Sequence, residues 1–301
     1  MRKSICSTLF AFASFIAFSQ PQNCEDRQHP MPVLSDSLKK EFQKNLISAE
    51  KKFKTDSNNS EHIIWYGRRM AYLGFYKEAI DIYTKGIDRF PANARFYRHR
   101  GHRYITMRCF DNAIADLKKA TELINNEIDE IEADGIPNAM NIPTSTLHTN
   151  IWYHLGLAYY LKTEYRQALI AFEKCLEISD NDDMRVATIN WLNITLRKMG
   201  RNKEAEERLK KISGEMEIIE NHDYYEILVM YKTNNENILV EKTQNQETLS
   251  NSTLGFALGT YYLLNEKKQK ARELFEKVLA GNQWSSFGFI VAEAEIERMK
   301  K

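Results

Sequence analysis

The feature that most constrains the fold of this chain is a recurring spacing of glycine and alanine. A glycine is followed twelve residues later by an alanine at four places, namely Gly67 and Ala79, Gly101 and Ala113, Gly156 and Ala168, and Gly259 and Ala271. A bulky residue stands four positions after each alanine, and 34 residues separate the first glycine from the second. Small residues at fixed places let two antiparallel helices approach closely, so the spacing predicts an array of helix pairs.

The period and its residue pattern resemble the tetratricopeptide repeat, a helix–turn–helix unit with a Gly…Ala…Phe…Pro pattern. Clear copies include "IIWYGRRMAYLGFYKEAIDIYTKGIDRFPAN" and "IWYHLGLAYYLKTEYRQALIAFEKCLEIS". The stretches "YRHRGHRYI", "GIPN", "NIPTSTL" and "NDDM" resemble those of exported bacterial tetratricopeptide proteins that have no assigned biochemical activity. The resemblance covers most of residues 50–300, and it implies a fold but no reaction.

We therefore expect an all-α fold, a right-handed superhelical solenoid of tetratricopeptide repeats over residues 36–301 that ends in a capping helix. The predicted segments are a flexible N-terminal segment at 20–35, repeats near 60–93, 94–124, 149–182 and 186–215, a degenerate repeat at 216–248, a repeat at 252–282 and a cap at 283–300. A leading helix is expected between Leu38 and Phe53, where apolar residues have helical spacing. Helices at the two ends cover the apolar edges of a solenoid.

An inserted loop at 125–148 interrupts the array. The repeat glycines on either side of it are 55 residues apart, 21 more than one period. Its first part is expected to prolong a helix to about Ala133, after which a glycine and two prolines enforce non-helical chain, and Thr144 or Ser145 is expected to cap the next helix. In solenoids such insertions project from one face. The loop either binds a ligand there or only covers the groove between two repeats.

The N-terminus has the layout of a secretory signal peptide. A basic start is followed by an apolar stretch of 14 residues, from Ile5 to Phe18, and small residues precede a predicted cleavage near Ser19. The stretch is shorter than the roughly 20 residues that cross a bilayer. No small-residue lipobox precedes Cys24. We expect an exported, periplasmic or secreted product, with residues 1–19 removed and no transmembrane segment in the mature chain.

Charge and cysteine content exclude some classes of protein. Cleavage removes Arg2 and Lys3 and changes 42 basic and 41 acidic residues into 40 and 41, which argues against a nucleic-acid partner. Three cysteines then remain, Cys24, Cys109 and Cys175, too few for a disulfide framework and without zinc-ligand spacing. A single bridge between the last two is conceivable in an oxidising compartment.

The basic stretch "RFYRHRGHRY", residues 95–104, divides by helical phase. In the tetratricopeptide family, fixed positions of the first helix of each repeat line the concave surface, and with Gly101 as the eighth position they correspond here to Arg95, Arg98 and His102. Arg100 points about 140° away from Arg95, toward the interior, so we expect it to form an ion pair with Asp116.

The same phase gives the remaining concave positions. The other repeats contribute Arg68, Tyr72, Asn150, Tyr153, Tyr160, Asn190 and Arg197. A groove with cations at one end and tyrosines and amides in the middle suits an acidic peptide or one with a free carboxylate. The alternative is a solvated groove with ordinary charges.

The histidines do not form a convincing metal site. His99 and His102 lie three residues apart, but arginines flank them and no acidic residue or cysteine is close in sequence to complete a metal's ligands. His148 and His154 are no better placed. We expect no metal and no cofactor.

The sequence therefore favours a non-enzymatic scaffold of the bacterial cell envelope that binds a protein or peptide in its concave groove. One alternative is an accessory subunit of an envelope assembly. Another is a hydrolase that uses the inserted loop, but the chain has no GxSxG, HExxH or phosphate-loop motif, and the acids from Asp129 to Glu132 are interpreted as a solvated helix end.

Overall fold

The protein is helical along most of its described length. The computed structural model describes residues 24–243 and 249–300. A 3₁₀ helix (Cys24–Asp26) precedes the α-helices α1 (Asp36–Thr55), α2 (Ser60–Tyr72), α3 (Tyr76–Arg89), α4 (Ala94–Thr106), α5 (Phe110–Leu123), α6 (Leu147–Leu161), α7 (Tyr165–Ile178), α8 (Asp182–Lys198), α9 (Asn202–Leu209), α10 (His222–Thr233), α11 (Asn237–Val240), α12 (Leu249–Leu264), α13 (Lys268–Leu279) and α14 (Phe287–Met299). These ranges contain no β-sheet, and the predicted all-α class is confirmed; the handedness of the superhelix stays a prediction.

Successive helices pack as pairs because a bulky side chain of the second helix occupies the space beside a glycine of the first. A Cβ atom added at Gly156 would lie 2.5 Å from the ring of Phe172, and one at Gly259 would lie 2.5 Å from the ring of Phe275. The same relation joins Gly67 to Tyr83. The recurring glycine therefore sets how closely the two helices of a pair approach.

The turn inside each pair uses a residue with positive φ, seven positions after the repeat glycine or its equivalent. These residues are Gly74, Arg108, Thr163, Gly200 and Glu266. A residue in the left-handed region commonly ends a helix, because its amide group bonds back to the last turn. Three of the five are not glycine, so this turn cannot be recognised from glycine content alone.

The inserted segment is not a continuation of α5. The helix ends at Leu123, and Asn126 has a φ of +67°, which a right-handed helix does not accommodate. The predicted extension to about Ala133 is therefore wrong. The chain instead runs back beside the residues that precede α6, with Ile131 opposite Thr146 in an antiparallel bridge.

The N-cap of α6 comes directly after the two candidates from sequence. Thr146, and not Thr144 or Ser145, accepts a hydrogen bond from the amide of Thr149, and the Thr149 hydroxyl accepts one from the amide of Thr146. Only a capping residue three positions before Thr149 can make this reciprocal pair.

One disulfide bond joins Cys24 to Cys109, with the two Cα atoms 5.4 Å apart. Cys175 is a buried free thiol on α7. The conceivable bridge between Cys109 and Cys175 is therefore wrong, because Cys109 lies at the turn between α4 and α5, where the N-terminal segment reaches it.

The described part of the predicted flexible segment at 20–35 is fixed to the solenoid. Besides the disulfide, Arg27 forms an ion pair with Glu293 at 2.9 Å. The ring of His29 stacks on Trp284 with centroids 5.1 Å apart. These contacts bring the start of the described chain against its last helical region.

The final helix, α14, does more than cover the last repeat, because it also reaches α6 and α8. The buried carboxylate of Glu295 forms ion pairs with Lys198 at 3.0 Å and Arg298 at 2.8 Å, and it accepts a hydrogen bond from Tyr160 at 3.5 Å. Arg298 also donates to the carbonyl of Leu161 at 2.6 Å. The C-terminal helix thus occupies space that the repeats leave on their inner side.

The predicted signal peptide at 1–19 lies outside the described residues. Among those that are described, no helix combines the length and apolar character needed to cross a membrane.

Candidate binding site

The inserted loop and the first helices of the repeats enclose a cavity of about 310 Å³, which we call the loop cavity. Five of the predicted groove residues lie on its wall, namely Arg68, Arg98, His102, Asn150 and Tyr153. They come from α2, α4 and α6, three successive first helices. Phe287 at the start of α14 and Tyr224 from α10 complete the wall.

Arg98 is held by a carboxylate that sequence reasoning placed in solvent. Its Nε lies 2.9 Å from Oε2 of Glu132, and both side chains are buried. Glu132 also accepts a hydrogen bond from Asn150 at 3.3 Å and lies 3.7 Å from Nε2 of His99. Burial lowers the pKa of Arg98, against the opposing effect of Glu132. The charge of Arg98 is therefore used internally.

The acids of the inserted segment are structural rather than a solvated helix end. Asp129 accepts hydrogen bonds from the hydroxyl of Thr146 at 2.6 Å and the amide of His148 at 3.0 Å. It thereby holds the N-terminus of α6, where a negative charge is favourable. The segment has a helical periodicity, and the prediction from that periodicity placed Glu132 on an exposed helix. That prediction is wrong.

Arg68 contrasts with Arg98, because no carboxylate of the described chain lies within 4 Å of its guanidinium. Arg68 is only 9% exposed. The guanidinium lies 4.3 Å from the centre of the Trp65 ring and donates a long hydrogen bond of 3.4 Å to the hydroxyl of Tyr72. An arginine that is buried without an anionic partner costs free energy, so this cation is poised for an anion from the cavity.

Three histidines of α4 and α6 lie on or near the wall of the loop cavity, of which His99 and His154 are buried and His102 is partly buried. Burial, reinforced by the nearby arginines, lowers the pKa values of His99, His102 and His154 well below the ordinary range. Nδ1 of His154 lies 2.6 Å from the carbonyl of Asn150 and must donate to it, which leaves Nε2 as an acceptor with no hydrogen-bond partner among the described residues. These imidazoles are neutral at pH 7 and supply polarity without charge.

Tyr153 connects the cavity wall to the core through hydroxyl groups. The indole nitrogen of Trp191 donates to the Tyr153 hydroxyl at 2.7 Å, and that hydroxyl donates to Tyr224 at 3.3 Å. Burial raises the pKa of Tyr153, so the group stays neutral and acts as a hydrogen-bonding relay.

Two further carboxylates border the loop cavity, and sequence reasoning missed both. Burial, with Glu220 and Glu132 nearby, raises the pKa of Asp134. Glu220 accepts hydrogen bonds from Thr144 and, at 3.2 Å, from Asn138. Glu220 lies before α10, in the degenerate repeat, and no motif marked it.

Two predicted groove residues lie beside the cavity and not in it. The hydroxyl of Tyr72 packs against Gly135 of the inserted loop so closely that a Cβ there would clash with it. Arg95 forms an ion pair with Glu61 and lies 3.7 Å from Glu130. Both residues therefore hold the loop in place.

The last three predicted residues are covered by the protein itself. Tyr160 is fully buried beneath α14, and Asn190 is 1% exposed within α8. Arg197 donates to Asn193 at 3.0 Å and lies over the ring of Tyr231 at 5.2 Å. The predicted groove is thus not continuous, because α14 and the inserted loop fill much of it.

Stacked helix pairs of this kind form an α-solenoid. A family model for the tetratricopeptide repeat matches residues 149–182, so this part of the chain is similar to one such repeat. No curated protein matches the chain.

Two solved structures illustrate what the chain is similar to. One is YrrB, described as a tetratricopeptide repeat protein with an unusual peptide-binding site; it is 15% identical over 78% of this chain and 92% of its own, with a TM-score of 0.43. The other is MamA, 22% identical over 58% of this chain and 82% of its own, with a TM-score of 0.44.

Proposed function

We propose that the protein is a non-enzymatic scaffold of the bacterial cell envelope that binds a peptide segment carrying a free or side-chain carboxylate. Tetratricopeptide repeats generally serve as non-catalytic scaffolds that present concave surfaces to proteins or peptides. The loop cavity is the open part of that surface.

The observation that carries the proposal is that the guanidinium of Arg68, on the wall of this cavity, has no carboxylate of the described residues within 4 Å, although Glu132 nearby helps to raise its pKa. A carboxylate that enters the cavity accepts two parallel hydrogen bonds from a guanidinium. Asn150 and Tyr153 lie on the same wall, where Asn150 donates to Glu132 and the Tyr153 hydroxyl bonds to Trp191 and Tyr224, so both side chains are held in place.

Export to an oxidising compartment is supported by the disulfide between Cys24 and Cys109. Disulfides persist in periplasmic and secreted proteins and are rare in the cytosol. The bond forms part of the mature chain that cleavage near Ser19 leaves.

The binding test compares Arg68→Gln with a matched control, Arg166→Gln, on the exposed face of α7. The probe is a mixed library of hexapeptides with free C-termini, offered beside a matched library that has amidated C-termini and Asn and Gln in place of Asp and Glu, and retained peptides are identified by mass spectrometry. We expect the wild type and Arg166→Gln to prefer the free acids. Arg68→Gln should lose that preference roughly tenfold to a hundredfold, the value of a hydrogen bond to a charged group.

The stability of Arg68→Gln provides the control for a structural role. Because Arg68 is buried without a carboxylate partner, its removal is expected to leave the melting temperature unchanged or raised. Equal retention of amidated peptides by the wild type, or an unchanged preference in Arg68→Gln, contradicts the proposal. Arg98→Glu is unsuitable here, because it would place two carboxylates together in a buried site beside Glu132.

A second candidate function, a hydrolase that uses the inserted loop, is favoured by one observation. Asp134, whose pKa is raised chiefly by burial, and Glu220 border the same cavity, and two carboxyl groups in different surroundings are the starting point of general acid–base catalysis. The library experiment separates the two functions, since a scaffold returns its peptides intact and a peptidase returns fragments. An accessory role in an envelope assembly stays a prediction.

A further inference from the structure

A second cavity, which we call the terminal cavity, lies where the two ends of the described chain meet. It has a volume of about 410 Å³. The N-terminal segment, α1, α2 and the residues before α14 form its wall, which is largely apolar and includes Met31, Val33, Leu38, Phe42, Tyr76 and Trp284. A volume of this size lies within the usual range for small-molecule sites.

The terminal cavity has one charged side chain on its described wall, the guanidinium of Arg103. No carboxylate of the described residues lies within 4 Å of it, and its guanidinium carbon lies 5.8 Å from the centre of the Tyr76 ring. Arg103 belongs to α4, as do Arg95, Arg98 and Arg100, but each of those three has a carboxylate partner. Arg103 is thus a cation at the edge of an apolar space.

The wall of the terminal cavity is built before any ligand arrives. The disulfide at Cys24, the ion pair of Arg27 with Glu293 and the stacking of His29 on Trp284 fix the N-terminal segment. Met31 and Val33 nevertheless remain 53% and 68% exposed at the rim. Apolar side chains held open in this way gain free energy when a hydrocarbon covers them.

We propose that the terminal cavity binds an amphiphilic monocarboxylate, with its aliphatic chain against the apolar wall and its carboxylate on Arg103. The two parts of the ligand match the two parts of the site. A guanidinium takes a carboxylate by paired hydrogen bonds, and the aromatic and aliphatic side chains remove the chain from water. This site is separate from the loop cavity, and it does not depend on the function proposed there.

The test measures the binding of hexanoate, octanoate and decanoate to the full mature chain by calorimetry, with octanamide as the uncharged comparison. We expect affinity to rise by up to roughly fourfold for each added methylene while the chain still fits. Octanamide should bind at least tenfold more weakly than octanoate, because it lacks the charge that Arg103 recognises.

Three variants assign the binding to this cavity. Arg103→Gln should remove the preference for octanoate over octanamide, whereas Arg166→Gln should keep it. Leu38→Trp, at a partly exposed position of α1, should fill the space and abolish binding of all four probes. The proposal is overturned by an affinity independent of chain length, by equal binding of the amide, or by an unchanged preference in Arg103→Gln.

Discussion

The four arginines of α4 acquire different roles because each meets a different neighbour. Arg100 makes two hydrogen bonds of 2.7 Å to Asp116, as its helical phase predicted, and that pair is confirmed. Arg98 meets Glu132, which comes from the inserted loop. Repeat phase relates residues within one helix pair, so it predicted the first partner and had no means of predicting the second.

Because three histidines have lowered pKa values, we expect the protein to lose stability in mild acid. Unfolded histidines bind protons below about pH 6.5, whereas the lowered pKa values of His99, His102 and His154 keep the folded chain unprotonated there. The free energy of unfolding should therefore fall as the pH drops below 6.5, by about 1.4 kcal/mol per pH unit for each histidine.

Urea unfolding between pH 8 and pH 5 measures this slope. His154→Gln should reduce it by the contribution of one proton, and a variant with the wild-type slope would show that His154 titrates normally in the folded chain.

The close packing of the two helices in each pair could be predicted from the sequence. Small residues at fixed spacing predicted close packing, and the rings of Phe172 and Phe275 do lie over Gly156 and Gly259. The inserted loop was less accessible, because its acidic, helix-like composition competes with a left-handed residue at Asn126. Local propensity gave way there to contacts with α4 and α6.

Gly156→Ala should lower the free energy of unfolding by about 1–2 kcal/mol. The added methyl group would lie 2.5 Å from the ring of Phe172, and this overpacking exceeds the gain of about 1 kcal/mol in helix propensity. Thermal and urea unfolding measure the difference.

Gly214→Ala is the matched control, because no atom lies within 4 Å of a Cβ placed there. That variant should have wild-type stability or slightly more. If both alanines had the same effect, the close approach of α6 and α7 would not limit the packing.

Contacts between regions that are distant in sequence join the two ends of the described chain to the middle repeats. Glu293 binds Arg27 and Arg108, and Glu295 binds Lys198, so α14 joins the N-terminal segment to the middle repeats. A repeat pattern describes only neighbouring pairs, which is why the sequence predicted a terminal cap and an open groove. The site residues lie on the predicted helices. Which of them face a cavity depends on the contacts that α14 and the inserted loop make with the repeats.

Cys24→Ser should lower the free energy of unfolding by about 2–4 kcal/mol, since the disulfide closes a loop with a sequence separation of 85 residues. Urea unfolding with and without a reductant measures the effect. The reductant should destabilise the wild type by a similar amount and leave Cys24→Ser unchanged. If the reductant destabilised both proteins equally, the stabilising disulfide would not involve Cys24.

The bond between Cys24 and Cys109 also makes residues 24–109 a covalent ring. A protease that cuts once between these two cysteines opens the ring but releases no fragment, since both pieces stay joined through sulfur. Helices α1 to α4 lie inside the ring. A single nick there would add only the mass of one water, and the two pieces would stay together as one molecule until a reductant separated them.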